Sequence, residues 1–316
     1  MKNKLTKLTI IFFFILIFIK KDIMYYTIYN TVILWFKNIV PNLLPMFIIT
    51  SLIIESNLII NICNIFGKLF NKIFKCSNYG IFIYFLSLFT GSPSNAKYIN
   101  DLVNNNLISN TLSDKLLLFT SNYNTLLIYS LLTLYLNKSI SIKIISIIII
   151  SNIIVGLIFR NMKYIDLKTN YIKRKINISK IIKDTIDTLL MILGTLIFFN
   201  IIINLLPIKN MLLKNILNGF LEITTGLKGL EYLDISNNIK ILLSTIYLSF
   251  GGLSIHTQIK SILPDTNYTL FLKSRLYAVI TSIILLTLFI IWNYYRIIFS
   301  VTAYYWYFNF VKYIFI

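Results

Sequence analysis

Thr90-Gly91-Ser92-Pro93-Ser94-Asn95-Ala96-Lys97 and Phe250-Gly251-Gly252-Leu253-Ser254-Ile255-His256-Thr257-Gln258 are two polar interruptions in very hydrophobic surroundings. Each ends an apolar run with glycine, small residues and hydrogen-bonding side chains. Inside lipid such residues are costly unless they line a cavity or are buried in protein. Interruptions at corresponding places in two halves are a sequence signature of a transporter whose discontinuous helices meet near the membrane midplane. The pair predicts an all-α polytopic membrane protein, with two structural repeats, broken or re-entrant helices and about 7–9 membrane segments.

Composition agrees. Of 316 residues, 57% are hydrophobic and 13% charged, with a mean hydropathy of +0.77. Soluble domains carry about 25% charged residues. Apolar runs at 144–158 and 278–292 suit membrane spans. The net charge is +19, which in a soluble protein would point to nucleic acid. Here the cations at Lys2, Lys4, Lys7, Lys20, Lys21 and through 160–183 flank apolar runs, as the positive-inside rule describes. No RNA-binding motif accompanies them, so no nucleic-acid partner is expected. Cys63 and Cys76 have no CxxC spacing and the chain has one histidine, so neither a metal site nor a cofactor is expected. There is no G-x-S-x-G and no Walker A motif. The chain is therefore not expected to be an enzyme, and any transport would be passive, ion-coupled or driven by a partner.

The organisation follows hydropathy. Residues 1–30 form an N-terminal span or signal anchor, because Lys20-Lys21-Asp22 follows its apolar core where a cleavage site would need small residues. A first membrane repeat covers 31–160, with its break at 90–97. A basic linker at 161–183 is placed in the cytoplasm. A second repeat covers 184–292, with its break at 250–258, and an aromatic C-terminal segment covers 293–316. Pro41 and Pro45 should kink the helix over 31–55. The stretch 57–75 is amphipathic or re-entrant. Residues 116–135 read as one span with a polar knot, Thr120 to Thr125, in its interior. Residues 211–233 read as a weakly hydrophobic stretch. Aligning Gly91 with Gly251 also pairs Ser94 with Ser254 and Ile99 with Ile259.

Candidate substrate-binding residues are Gly91, Ser92, Pro93, Ser94, Asn95, Lys97, Asn122, Glu222, Thr224, Thr225, Gly251, Gly252, Ser254, His256 and Gln258. Helices that start at the breaks would offer unpaired N–H groups and about half a positive charge. Lys97 adds a point charge, and the serines, Asn95 and Gln258 add hydrogen bonds. His256 is either a ligand donor and proton switch or a packing histidine bonded to a carbonyl. Glu222 either carries a proton, or pairs with Lys97 or His256, or sits at an interface. Thr224 and Thr225, and Asn122 and Asn124, either line a cavity or bind helices together.

Three stretches resemble a known family. Gly91-Ser92-Pro93-Ser94-Asn95-Ala96-Lys97 is similar to its G-[FY]-P-[SM]-G-A-K break. Gly219-Phe220-Leu221-Glu222-Ile223-Thr224-Thr225-Gly226 is similar to G-[LF]-L-E-[IV]-T-x-G, and Ser249 to Gln258 to S-F-G-G-L-S-[VI]-H-x-Q. On these residues the chain resembles the YlbJ-type sporulation integral membrane proteins, of the wider nucleoside-recognition or Gate-domain group, over roughly 32–292. It departs at Ser92, Asn95 and Asn124-Thr125, where the family has an aromatic, a glycine and Gly-Pro. The resemblance implies a bacterial cell-membrane protein of endospore formation, in the mother-cell membrane around the forespore. It would export a small anionic solute, dipicolinic acid, towards the developing spore. A non-transporting sporulation scaffold and a nucleoside-type carrier are the alternatives. The carrier asks for purine-stacking aromatics and carboxylates at the breaks, which the sequence does not make evident. The implied partners are the solute and the lipid bilayer, together with either further copies of the chain or other sporulation membrane proteins.

Overall fold

The computed structural model describes residues 2–56, 58–165, 167 and 176–314. Within these, the side chains at 2–6, 8–10, 13, 59–62, 64, 66, 69 and 293–314 are not described. Much of the 161–183 linker, and the side chains of the 293–316 segment, therefore lie outside the described residues. Among the described residues all regular structure is helical. Five stretches are long and apolar enough to cross a bilayer: Lys21–Glu55, Lys138–Ile158, Ile178–Leu205, Asn237–Ile262 and Tyr268–Trp292.

The chain opens with α1 (Lys2–Ile19) and α2 (Lys21–Leu34), which runs through a π-helical turn at Trp35–Ile39 into α3 (Val40–Glu55). Pro41 and Pro45 offer no N–H, so carbonyls of the preceding turn lose partners there. The chain answers with the wider π turn just before Pro41. Next come α4 (Leu58–Phe74), α5 (Tyr79–Thr90), α6 (Ser94–Asn104), α7 (Asn110–Thr120), α8 (Thr125–Leu132) and α9 (Lys138–Ile158). The second half holds α10 (Ile178–Leu205), α11 (Met211–Leu221), α12 (Ile223–Gly229), α13 (Asn237–Phe250), α14 (Gly252–Ile262) and α15 (Tyr268–Ile314). Many starts are written in the sequence as caps: Ser109, Asn137, Asn177 and Asn210 each accept from a backbone N–H three residues on.

Hydrogen bonds between distant residues orient these helices. At one end Glu55 accepts from the Asn177 N–H, and Lys75 Nζ donates to Asn161 Oδ1. Lys115 Nζ donates to the carbonyls of Lys75, Arg160 and Met162, and Asp114 accepts from the Asn267 N–H. This is the linker end. At the distal end Lys20 Nζ donates to the Leu205 carbonyl, and Lys240 lies over the Tyr135 ring. Helix α4 starts just after Glu55 and finishes just before Lys75, so it lies along the linker end, as its amphipathic sequence requires. Helix α9 has 21 residues, about 31 Å at 1.5 Å per residue, and joins the two ends.

Helices α5 and α6 pack side by side, as do α11 and α12. Each pair is a hairpin that enters from one end and returns to it: α5 and α6 from the linker end, α11 and α12 from the distal end. By contrast α7 with α8, and α13 with α14, each run on from one end to the other through a break. The expected single span over 116–135 is thus two helices, separated at Ser121, Asn122, Tyr123 and Asn124. The stretch 211–233 is also broken, at Glu222. Inside the α11/α12 hairpin, Gly219 and Gly226 face each other so closely that a Cβ on Gly226 would collide with the Gly219 backbone. That crossing gives the seven-residue glycine spacing of the Gly219 motif its physical reason.

Candidate functional site

Four helix breaks converge at the centre of the molecule. Ser92 N donates to the Asn122 carbonyl at 2.8 Å, joining the α5/α6 break to the α7/α8 break. Gly91, at φ +75°, leaves no room for a Cβ beside the backbone of Tyr123 and Asn124. On the other side Gly252 presses on Ile223, and the hydroxyl of Tyr123 sits 3.1 Å from where a Cβ on Gly251 would be. Between them lies a cavity of about 360 Å³. Much of its polar wall is drawn from the breaks: Thr90, Ser92, Tyr123, Asn124, Glu222, Thr224, Ser254 and Gln258, with Pro93 beside them. Its apolar wall includes Leu34, Ile39 and Leu43 near the π turn, and Ile192 and Leu196 of α10.

The helix starts around this cavity differ. Asn124 Oδ1 accepts from the Leu127 N–H at 3.0 Å and closes the start of α8. Glu222 closes α12: Oε1 accepts from Thr224 N at 3.2 Å and Oε2 from Thr225 N at 2.7 Å, with the hydroxyls of Thr224 and Thr225 at 2.6 and 2.7 Å from Oε2. Helices α6 and α14 begin at Pro93 and Gly251 with no side-chain cap. The hydroxyls of Ser92 and Ser254 are buried beside them without a hydrogen-bond partner. Gln258 donates to Thr195 Oγ1 at 2.8 Å, tying α14 to α10.

Of the residues expected at the site, Ser92, Pro93, Glu222, Thr224, Ser254 and Gln258 line the cavity. Gly91, Gly251 and Gly252 shape its breaks from behind. Ser94 and Asn95 are fully buried in the first turn of α6, with Asn95 facing Thr120 and Ser121 at 3.4 and 3.5 Å. Thr225 faces a neighbouring cavity and lies 3.0 Å from Asn200. Asn122 is held by Ser87 and Asn152, each at 2.9 Å, and binds helices together.

Two expectations need correction. Lys97 is not a free point charge: its ammonium lies 2.6 and 2.7 Å from the two carboxylate oxygens of Asp101, one helical turn on. Ser51 donates to the same carboxylate at 2.8 Å. A buried cation needs such a partner, and the pair sits between α3 and α6, away from the cavity. Nor does Glu222 pair with Lys97 or His256, because its oxygens are taken up by its own helix start. His256 Nε2 donates to the Phe250 carbonyl at 2.9 Å, and its Nδ1 lies 3.1 Å from the Tyr268 hydroxyl. It stacks on Phe250 with ring centroids 4.9 Å apart. This is the packing role, and it satisfies a carbonyl at the end of α13.

The sequence reading passed over Arg275. It is buried in α15 and donates to the carbonyls of Leu118 and Ser121 and to Asn152 Oδ1, at 2.5, 3.4 and 3.2 Å. It does for the end of α7 what His256 does for the end of α13. A cation inside an apolar run was the available signal. Lys228, Asn38 and Asn42, which also line the cavity, were overlooked too.

These features define an α-helical integral membrane protein with a central cavity framed by broken helices. In sequence the chain is similar to a sporulation integral membrane protein of the YlbJ type. It is 24% identical to the sporulation integral membrane protein YlbJ of Bacillus subtilis (strain 168) over 283 residues, taking in 74% of this chain and 69% of that protein. No family model matches the chain, and no solved structure matches it.

Proposed function

We propose that this protein carries a small anionic solute, dipicolinate foremost, across the mother-cell membrane around the forespore. The observation behind the proposal is the convergence of four helix breaks on one cavity, where two helix starts and two hydroxyls lack a side-chain partner. Uncapped helix starts favour anions through their free N–H groups and dipole. Lys228 adds a cation to the wall. Among the described residues Glu222 is the one carboxylate in that wall, and its oxygens hold α12. The apolar wall suits a planar ring.

We further read the halves as inverted repeats. In this pairing α3, α5/α6, α7/α8 and α9 correspond to α10, α11/α12, α13/α14 and α15. Several packings support it: α3 lies on α10 and α9 on α15, α6 meets α14 as α12 meets α8, and α7 meets α15 as α13 meets α9. The two hairpins entering from opposite ends support it too. The Gly91 break then pairs with the Glu222 break, and Gly251 with the break at 121–124, a different pairing from the one the glycines suggest. This reading has six crossings and two re-entrant hairpins besides α1, as alternating-access carriers use them.

One observation favours a nucleoside-type solute instead: Tyr123 and Glu222 both line the cavity, supplying an aromatic and a carboxylate at the breaks. Both readings meet one assay. A non-sporulating cell expressing the protein is loaded with dipicolinate and its efflux is followed, with a labelled purine nucleoside in a parallel culture. Dipicolinate efflux that Gly251→Val abolishes supports the first reading. Nucleoside flux without dipicolinate flux supports the second. Membrane-inserted protein that moves neither would leave the scaffold reading.

A further inference from the structure

Thr27 and Thr31 of α2, and Asn200 and Asn204 of α10, place polar side chains in the middle of two apolar helices. Asn200 donates to Thr31 and Asn204 to Thr27, each at 3.2 Å. Thr225, 2.7 Å from Glu222, continues the row to the central cavity. The row leads from there to the distal end, where Lys20 meets Leu205. Asn–Thr pairing between helices is ordinary adhesion, but adhesion does not explain the space beside it. A second cavity, of about 320 Å³, runs along the row and shares Leu34, Leu196, Thr224 and Lys228 with the central one. A third, an open groove of about 390 Å³, is bounded by Asn30, Lys37, Asn38 and Lys228 among others. Lys228 stands in the wall of all three. Among the described residues the two outer cavities carry no carboxylate.

The opposite direction is filled. Beyond Leu43 towards the linker end, Phe47 packs edge-on against Tyr98 with ring centroids 6.0 Å apart. One turn further, Ser51 closes on the Lys97–Asp101 pair. Phe47 and Tyr98 have no exposed surface.

We propose that the α2/α10 row is a hydrated passage for small anions between the central cavity and the distal end, with Lys228 as its selecting charge. Cavities of this size lined by amides and hydroxyls hold water. A cation at their junction raises the local concentration of anions and lowers that of cations. The passage is open in this conformation, while the linker side is shut by Phe47, Tyr98 and the ion pair.

Thiol labelling tests this without any cargo, so its outcome is separate from that of the efflux assay. Cysteines are introduced one at a time at Asn30 and Asn200, and the parent chain, with its buried Cys63 and Cys76, is the blank. Lys163→Cys marks the linker face and Lys209→Cys the distal face. Sealed vesicles of either orientation are treated with membrane-impermeant methanethiosulfonates, one anionic and one cationic. Asn30→Cys and Asn200→Cys should react from the Lys209→Cys face only, and the anionic reagent should react faster. Lys228→Gln should slow the anionic reagent at Asn200→Cys by about tenfold, the effect of one nearby charge in an intermediate dielectric, and leave Lys209→Cys unchanged. If both positions react only with a lipid-soluble maleimide, the row is adhesion and the passage is refuted. If both impermeant reagents react equally and ignore Lys228→Gln, the anion selection is refuted. Asn30 makes no hydrogen bond in the row, so its variant keeps the test decisive if Asn200→Cys folds poorly.

Discussion

Helices α8 and α12 begin at the cavity with their first N–H groups held by Asn124 and Glu222; helices α6 and α14 begin at the same cavity with nothing from a side chain. All four starts face the same cost, because a helix leaves its first N–H groups without internal partners. The closed pair settle that cost inside the protein and act as fixed corners. The open pair leave it to be met from the cavity, by water or by an anion. Capped starts should therefore report on stability, and uncapped starts on binding.

The largest effect should come from Glu222→Ala. It removes a buried carboxylate that accepts from two backbone N–H groups and stands beside two hydroxyls, and it strands those donors. A loss of about 3 kcal/mol is expected, read as a lower unfolding temperature in detergent and faster amide exchange at Thr224 and Thr225. If Glu222→Ala unfolds like the parent chain, the α12 start is not a structural corner and the contrast collapses. Gly251→Val comes next. Its φ of +102° is a conformation that a β-branched residue resists, and strain of about 2 kcal/mol is expected, together with loss of efflux. Asn124→Ala should cost about 1 kcal/mol, the usual worth of a side-chain cap. The same unfolding assay ranks all three variants.

What the sequence disclosed depended on distance along the chain. The Gly91 and Gly251 breaks were visible because glycine, proline and polar residues sit together against apolar flanks. The break at Asn124 was hidden, because Thr120 to Thr125 has no glycine or proline and its flanks are apolar enough to pass as one span. The Lys97–Asp101 pair was available locally, at one helical turn, but a lysine beside a glycine break suggested a ligand more readily than a neutralised charge. Arg275 was signalled locally as a cation in an apolar run, but its partners at the end of α7 lie more than a hundred residues away, so what it binds could not be read from local pattern. The glycine-to-glycine alignment differs from the inverted-repeat reading for a similar reason. It matches residue types, while the inverted-repeat reading pairs the Gly91 hairpin with a hairpin whose turn is a carboxylate.

Ser254→Ala carries the smallest effect, and its sign is what matters. The Ser254 hydroxyl is buried at an uncapped helix start and has no partner. A buried hydroxyl without a partner is a cost to the empty protein. Its removal should leave stability unchanged or raise it by about 0.5 kcal/mol, opposite in direction to Asn124→Ala. In the proposed anion-bound state the same hydroxyl would donate to an anion at the start of α14, so on that reading the variant should bind dipicolinate about three- to tenfold more weakly, the worth of one hydrogen bond. Calorimetric unfolding and a radiolabelled binding assay on the same preparation give both numbers. A Ser254→Ala protein that is destabilised as much as Asn124→Ala, with binding intact, would mean that this hydroxyl serves the fold, and that open and closed helix starts do not divide the work between them.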